Sequence, residues 1–562
     1  MARTVGLGIQ DFKKIIEHDY FYIDKSMLIR EWWESGDDVT LITRPRRFGK
    51  TLSLSMLEYF FSVKYKDQKQ LFENLKIWQE EAYRGLQGTY PLISLSFASV
   101  KETNFDNARA KICQLIASEY ARTVWLLEGN LLSEQEKDTF RRKTFAMNDV
   151  DAALSLNQLS EYLSRYYGKK VIFLLDEYDT PMQEAYVYGY WQELMAFLRN
   201  LFHASFKTNS YLERAMLTGI TRVGKESLFS DLNNITVITT TSRMYATAFG
   251  FTEQEVSAAM DEFHMTQKAE AADWYDGFIF GSCRHMYNPW SVLNYLKEQK
   301  LAAYWVNTSS NSLVTTLIRE SSPDVKMAME DLISGKSFET SLDEQIVFSQ
   351  LEYKTSAIYS LLLASGYLRA ERMILDPVSG KRNYELRLTN REVRFMFVQM
   401  IEDWFREYTP AYHTFIKALL LHDLDAMNEY MNRVSEDIFS SFDTGKQHSQ
   451  KSQPERFYHG FVLGLMVDLA DQYVISSNRE SGFGRYDIML FPKQKHKDAY
   501  LIEFKVFHPK KEATLADTAK AALTQIREKD YAAELVRMGI APARIHSYGF
   551  AFQGKQVLID GK

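Results

Sequence analysis

An α/β fold built on a parallel sheet is what this sequence predicts, and three observations predict it. Residues 39–61, VTLITRPRRFGKTLSLSMLEYFF, read as a buried strand, a tight loop ending in Gly49-Lys50-Thr51, and an amphipathic helix. Residues 171–177, VIFLLDE, form an apolar run that closes on two carboxylates, the pattern of a strand buried on both faces whose C-terminal end meets ligand. Further short apolar runs at 91–97, 215–220 and 235–239 alternate with helical patterns, which implies parallel strands joined by helical crossovers.

The first of these stretches carries chemistry. In a strand–loop–helix of this kind, backbone N–H groups at the helix start cradle phosphates, a lysine reaches the β- and γ-phosphates, and a hydroxyl ligates Mg2+. Lys50 and Thr51 occupy those two positions, with Arg47, Phe48 and Gly49 forming the loop before them. The full motif places another glycine five residues before Gly49, where this chain has Arg44, so the loop alone leaves an ordinary basic turn open. The second stretch reinforces the phosphate reading: Asp176 is predicted to hold Mg2+ and Glu177 to polarise an attacking water. The 215–220 strand runs into Thr221-Arg222 beside it. Thr218 and Thr221 are therefore candidates for sensing a γ-phosphate, and Arg222 for stabilising transition-state charge in cis or in trans. Turn residues and a surface arginine are the alternative.

Length and composition bound the rest. A chain of 562 residues with 46% apolar content supplies core for about three or four domains. No apolar run reaches the ~18 residues of a membrane helix, and the start MARTVGLGIQDFKK lacks a signal-like apolar segment, so no membrane partner and a cytoplasmic location are expected. Cys113 and Cys283 have no paired spacing, which points away from disulfides and cysteine-bound zinc and toward oxygen-bound metal. The net charge is -6, yet residues 446–562 hold 18 Lys and Arg against 13 Asp and Glu. That asymmetry suits a polyanion-binding module, or a chance fluctuation over solvated surface.

Along the chain, residues 64–160 are charged and helix-favouring apart from the 91–97 strand, so a helical insertion is expected there. From about 261 to 442 the pattern becomes mostly helical, with aromatic residues at core spacing. The expected organisation is a nucleotide module at 1–260, a helical middle or lid at 261–442, and a third module at 443–562.

The third module has its own constellation. Residues 486–491 alternate into a strand carrying Asp487, a lysine-rich turn follows, and 500–506 return as a strand carrying Glu503 and Lys505. Alternation puts Glu503 and Lys505 on one face, and a hairpin brings Asp487 beside them. Two carboxylates and an ammonium can hold Mg2+ against a phosphodiester, which is nuclease-type chemistry; a cross-strand ion pair is the bland alternative. Glu455 is a further candidate metal ligand, and its helical neighbour His459 is read as structural. Gln525 and Tyr531 are placed on a helix able to pack across the hairpin.

Together these stretches resemble, nearly end to end, the prokaryotic AAA-ATPase-like family that pairs an N-terminal P-loop ATPase module with a C-terminal PD-(D/E)XK nuclease-superfamily domain. The resemblance rests on GIQDFKKI with YFYIDKS, RPRRFGKT, LLDEYDTPM, LTGITRVGKESLFSDLNN, FGFTEQEV, WYDGFIFG with YNPWSV, LLLASGYL, ERFYHGFVLGLM, GFGRYDIML and LIEFKV. RPRRFGKT is this family's own form of the loop, which accounts for Arg44. The nuclease superfamily's proline-aspartate signature is loose, and here Tyr486 precedes Asp487. The resemblance implies an ASCE/AAA-like P-loop NTPase sheet with helical insertions, a mostly helical middle and a restriction-endonuclease-like α/β domain. It implies ATP and Mg2+ as cofactors, nucleic acid as partner, DNA ahead of RNA, and leaves room for a homo-oligomer. The expectation is an ATPase module regulating a Mg2+-dependent nuclease, against a regulatory ATPase switch with an inert, nucleic-acid-binding C-terminal domain. A nucleotide switch that does not turn over is a third possibility.

Overall fold

The computed structural model describes residues 3–561 except 222–232, 307–313, 343–350, 376–381, 407–411, 443–461 and 463–468, and shorter gaps at 316, 319–320, 322, 334, 352–353, 470–471, 482–483, 495–496, 510–511 and 554–555. Arg222, Glu455 and His459 fall outside the described residues. The chain divides into two compact units, residues 1–321 with 328–396, and residues 322–327 with 397–562.

The first unit is organised by five parallel strands, β1 (Val39–Thr43), β2 (Leu92–Ser96), β3 (Val171–Asp176), β4 (Leu212–Gly219) and β5 (Ile235–Ile238), in the order β2-β3-β4-β1-β5. β1 and β3 are buried along their whole length, as their unbroken apolar sequences require of strands covered on both faces. One strand, β4, separates the loop strand β1 from the carboxylate strand β3, so both C-terminal ends open onto the same edge. The core on one face gathers Trp32, Leu57, Phe60 and Phe61 against Ile42, Ile172, Met216 and Ile238.

Between β2 and β3 the chain inserts the helices Phe105–Arg122, Glu134–Arg141 and Asp149–Tyr167. Each starts where an Asn or Ser side chain accepts from the first turn: Asn104, Ser133 and Asn148. The middle is mostly helical, as expected, but also carries two small sheets. β6 (Phe251–Thr252), β7 (Phe278–Phe280) and β8 (Cys283–Tyr287) form one, and β9 (Phe338–Ser341), β10 (Leu368–Leu375) and β11 (Arg382–Leu388) the other. β10, LRAERMIL, is mostly half-exposed, so its apolar residues do not alternate cleanly enough to announce a strand.

The second unit is a five-stranded mixed sheet of β12 (Tyr473–Ser481), β13 (Gly484–Pro492), β14 (Ala499–Val506), β15 (Ile545–Gln553) and β16 (Gln556–Gly561), in sequence order. β13 and β14 make the expected antiparallel hairpin, while β14 and β15 run parallel across the intervening helix Leu515–Glu528. One face packs on the helices Tyr412–Leu420 and Leu424–Phe442 through Phe415, Met427, Ile502, Phe504 and Phe550. The other face carries Leu501, Ile526, Tyr531 and Leu535. The outer edge of β16 is met by side chains: Asn428 exchanges two hydrogen bonds with the backbone of Ile559, at 2.7 and 2.8 Å, and Asn432 two with that of Val557, at 2.7 and 2.9 Å.

Candidate nucleotide and metal sites

At the end of β1 the backbone turns sharply. Gly49 has φ of 84°, a conformation cheap only for glycine, and it starts the helix Lys50–Phe61. Arg47 has φ of 66° and lays its guanidinium 4.5 Å from the Trp290 ring. Phe48 is buried against Phe278 and Phe280, so its side chain anchors the loop rather than lining it. Arg44 is fully buried, donates to the carbonyls of Thr43, Thr239 and Tyr245, and stacks over Phe280. It therefore ties the start of the loop to the segment beyond β5, and burial pulls its pKa down to about 9.

Lys50 turns its ammonium back into the loop, donating to the carbonyls of Arg44 and Pro45 at 2.8 Å each. Burial lowers its pKa to about 8, against the opposing charges of Asp176, Glu177 and Asp179. Thr51 donates its hydroxyl to Asp176 Oδ2 at 2.6 Å, and Thr218 donates to Asp176 Oδ1. The hydroxyl and carboxylate expected to share a cation thus stand together, and Thr218 joins them. Glu177 follows with φ of 50° and accepts from the Thr180 hydroxyl at 3.1 Å; an acidic residue in the left-handed region is uncommon.

Thr221 is placed differently. Its hydroxyl and N–H both donate to Asp179 Oδ2, at 2.8 and 2.9 Å, and the N–H of Ile220 does so at 3.0 Å. Asp179 is a residue that sequence reasoning missed, although it stands in the same LLDEYDTPM stretch; it fastens the end of β4 to the turn after β3. The loop has further neighbours that no motif announces. Trp305 Nε1 and Asn288 Nδ2 donate to the Arg46 carbonyl at 3.0 and 3.4 Å, and the Arg46 guanidinium donates to Gln183 at 3.3 Å.

In the second unit, Glu503 and Lys505 lie on one face of β14, the face covered by the helix Leu515–Glu528. Asp487 accepts from the Phe504 N–H at 2.8 Å. Lys505 donates to Gln525 Oε1 at 2.7 Å, and Gln525 in turn donates to Glu503 Oε1 and, at 3.2 Å, to the Tyr531 hydroxyl. Tyr531 lies just past that helix, not on it. Glu503 is 3% exposed, and its Oε2 is buried with no hydrogen-bond partner among the described residues. Burial, reinforced by the negative charge of Asp487, pushes its pKa up to about 8 despite Lys505. A buried carboxylate oxygen without a donor, beside a second carboxylate, is an all-oxygen set that suits a hard divalent cation.

Comparison with known proteins accords with this geometry. Residues 6–229 match the family model described as a predicted AAA-ATPase, and residues 453–562 match the PD-(D/E)XK nuclease superfamily. The chain joins an AAA-ATPase-like domain to a PD-(D/E)XK nuclease-superfamily domain. It is also similar, at 26% identity over 546 residues, to an uncharacterised protein in the vnfD 5′ region of Azotobacter chroococcum mcd 1. That match spans 94% of this chain and 93% of the relative. The alignment therefore runs through most of both matched segments. Among the described residues no helix is long and apolar enough to cross a membrane.

Proposed function

We propose that the AAA-ATPase-like domain binds and hydrolyses ATP and that its nucleotide state controls phosphodiester cleavage, of DNA ahead of RNA, by the nuclease-superfamily domain in the cytoplasm. The observation that carries the cleavage reading is the buried, donorless Glu503 Oε2 held beside Asp487 and Lys505. Keeping such a group costs stability unless a cation completes it. An inert remnant has no chemical reason to keep it.

In the ATPase domain, Lys50 would leave the Arg44 and Pro45 carbonyls for the β- and γ-phosphates, which restore the charge that burial disfavours. Thr51 and Asp176 would hold Mg2+, Glu177 would orient the attacking water, and Thr218 would report the arrival of the cation at Asp176. Arg222 is assigned to transition-state charge, in trans if the chain assembles as a homo-oligomer. Thr221 acts as a positioning residue through Asp179.

In the nuclease domain, Asp487 and Glu503 would hold Mg2+, with Glu455 as a further ligand. The bound cation supplies Lewis-acid charge to a phosphodiester oxygen. Lys505, oriented by Gln525, would neutralise charge that develops on the phosphate, and Tyr531 fixes the Gln525 amide from the other side.

The test is cleavage of single- and double-stranded DNA and of RNA with Mg2+ or Mn2+, with and without ATP, for the wild type and Lys505→Ala. Cleavage that is lost in the variant and altered by ATP supports the reading. Absence of cleavage under every condition would favour a regulatory ATPase switch instead.

A further inference from the structure

On the face of the C-terminal sheet opposite Glu503, three side chains from distant parts of the chain converge. His422 comes from the turn between the helices Tyr412–Leu420 and Leu424–Phe442, Asp498 immediately precedes β14, and His546 is the second residue of β15. One ligand atom of each lies within 4.8 Å of the others. The two imidazole rings lie with centroids 3.7 Å apart, tilted by 30° to each other, and the Tyr500 ring stacks on both. Both present Nε2 to the same oxygen, Asp498 Oδ2, at 3.8 Å from His422 and 3.3 Å from His546.

A hydrogen bond between His546 Nε2 and Asp498 Oδ2 accounts for part of this convergence, but a weak part. A separation of 3.8 Å is beyond a hydrogen bond, and 3.3 Å is long for one to a carboxylate, where ~2.7–2.9 Å is usual. The three donors are close enough to share a centre: a tetrahedral ion with ligands at ~2.0–2.1 Å sets neighbouring donor atoms ~3.3 Å apart, the His546–Asp498 separation, and His422 would close by about half an ångström. We propose that His422, His546 and Asp498 bind a transition-metal ion of the zinc class. Two imidazole nitrogens with one carboxylate favour such an ion over Mg2+ or Ca2+, which prefer all-oxygen shells.

The surroundings complete the site. His422 Nδ1 lies 2.7 Å from the Tyr548 hydroxyl, and a proton on Nδ1 donated to that oxygen leaves Nε2 free as a ligand. The backbone of His422 is held at φ of 59° in its turn, an uncommon conformation that aims the ring at the strand ends. Asp498 and His422 are each about a third exposed, so water can take a fourth position. The ion would pin the helical turn to the starts of two parallel strands, acting as a staple for the nuclease-superfamily unit. Its ligands are not those of the Glu503 site, so it stands independently of the proposed nuclease activity.

The test is titration of untagged, chelator-treated full-length protein with Co2+ in excess Mg2+, which leaves the all-oxygen site filled. One Co2+ per chain is expected, with the visible absorption of a tetrahedral site, displaced by Zn2+ and accompanied by a rise in Tm. His546→Gln should weaken binding by ~100-fold or more, and Tyr548→Phe, which leaves the three ligands in place, by ~10-fold. No tetrahedral Co2+ spectrum in the wild type would overturn the proposal. So would undiminished affinity in His546→Gln or, should that variant not fold, in Tyr548→Phe.

Discussion

The two candidate sites differ in how their polar groups are satisfied. Around the phosphate loop the functional groups satisfy one another: Lys50 caps its own loop carbonyls, while Thr51 and Thr218 cap Asp176. At the β13–β14 hairpin the network is incomplete among the described residues, because Glu503 keeps one buried oxygen without a donor there. The first arrangement is internally satisfied, and under the proposed function a nucleotide would have to open it. The second is disfavoured by burial, and under the proposed function a cation would relieve it. A nucleotide site built this way discriminates by exchange of hydrogen bonds, whereas a metal site built this way gains affinity from a penalty already present in the fold.

This contrast can be broken by measurement. The largest expected effect is on cleavage: Lys505→Ala should lower the rate about 10²–10³-fold, as loss of one charge-stabilising donor does elsewhere, while leaving the far-ultraviolet circular dichroism unchanged. Nucleotide affinity should respond next. Lys50→Ala removes charge-assisted hydrogen bonds and should weaken ATP binding about 10–100-fold in a fluorescence or calorimetric titration. Unchanged affinity would mean that the loop does not hold phosphate.

The pH dependence sharpens the comparison at the hairpin. Glu503 has a folded pKa of about 8, above the ~4.3 of an unfolded glutamate, so between those values the folded chain holds a proton that the unfolded chain has lost. The stability contributed by this group is full below the unfolded value and is lost as pH rises toward the folded one. Metal-free protein should therefore lose denaturation free energy over that window, and Glu503→Gln should flatten the slope. Cation binding near neutral pH should release a proton, seen as a dependence of the apparent binding enthalpy on buffer ionisation. A slope that persists in the variant would place the titration elsewhere.

The smallest effect concerns packing. Asn428→Ala and Asn432→Ala each remove two hydrogen bonds to β16 and should cost about 1–3 kcal/mol apiece in denaturant unfolding. Values near zero would mean that water replaces the amides without loss.

Much of this molecule is legible in the sequence where one residue pattern has one physical meaning. The runs 39–43 and 171–176 are apolar without interruption, and both are buried strands of the parallel sheet. The hairpin that brings Asp487 to Glu503 and Lys505 follows from alternation and a polar turn. Residues that act from a distance in sequence carry no such mark. Asp179 sits in plain view after Glu177, but its partners Ile220 and Thr221 lie more than forty residues on. Trp305 and Asn288 reach the Arg46 carbonyl across 259 and 242 residues, and His422, Asp498 and His546 have no ligand spacing because three separate elements supply them. The short middle sheets escaped for a different reason: their half-exposed strands mix charge and apolar residues at both periods.

The paired asparagines on the helix Leu424–Phe442 set the size of the smallest piece that can live alone. Four residues of helix advance ~6.0 Å and two residues of strand ~6.8 Å, so Asn428 and Asn432 fall in step with Val557 and Ile559 and take the place of a sixth strand. The family match begins only at residue 453, after this helix. A fragment cut at that point would keep the Glu503 hairpin but bare the edge of β16, and open edges recruit other strands. Such a fragment should self-associate, whereas one beginning before residue 412 should stay monomeric. The helical pair is thus part of the nuclease-superfamily unit's fold, and its loss is expected to promote self-association.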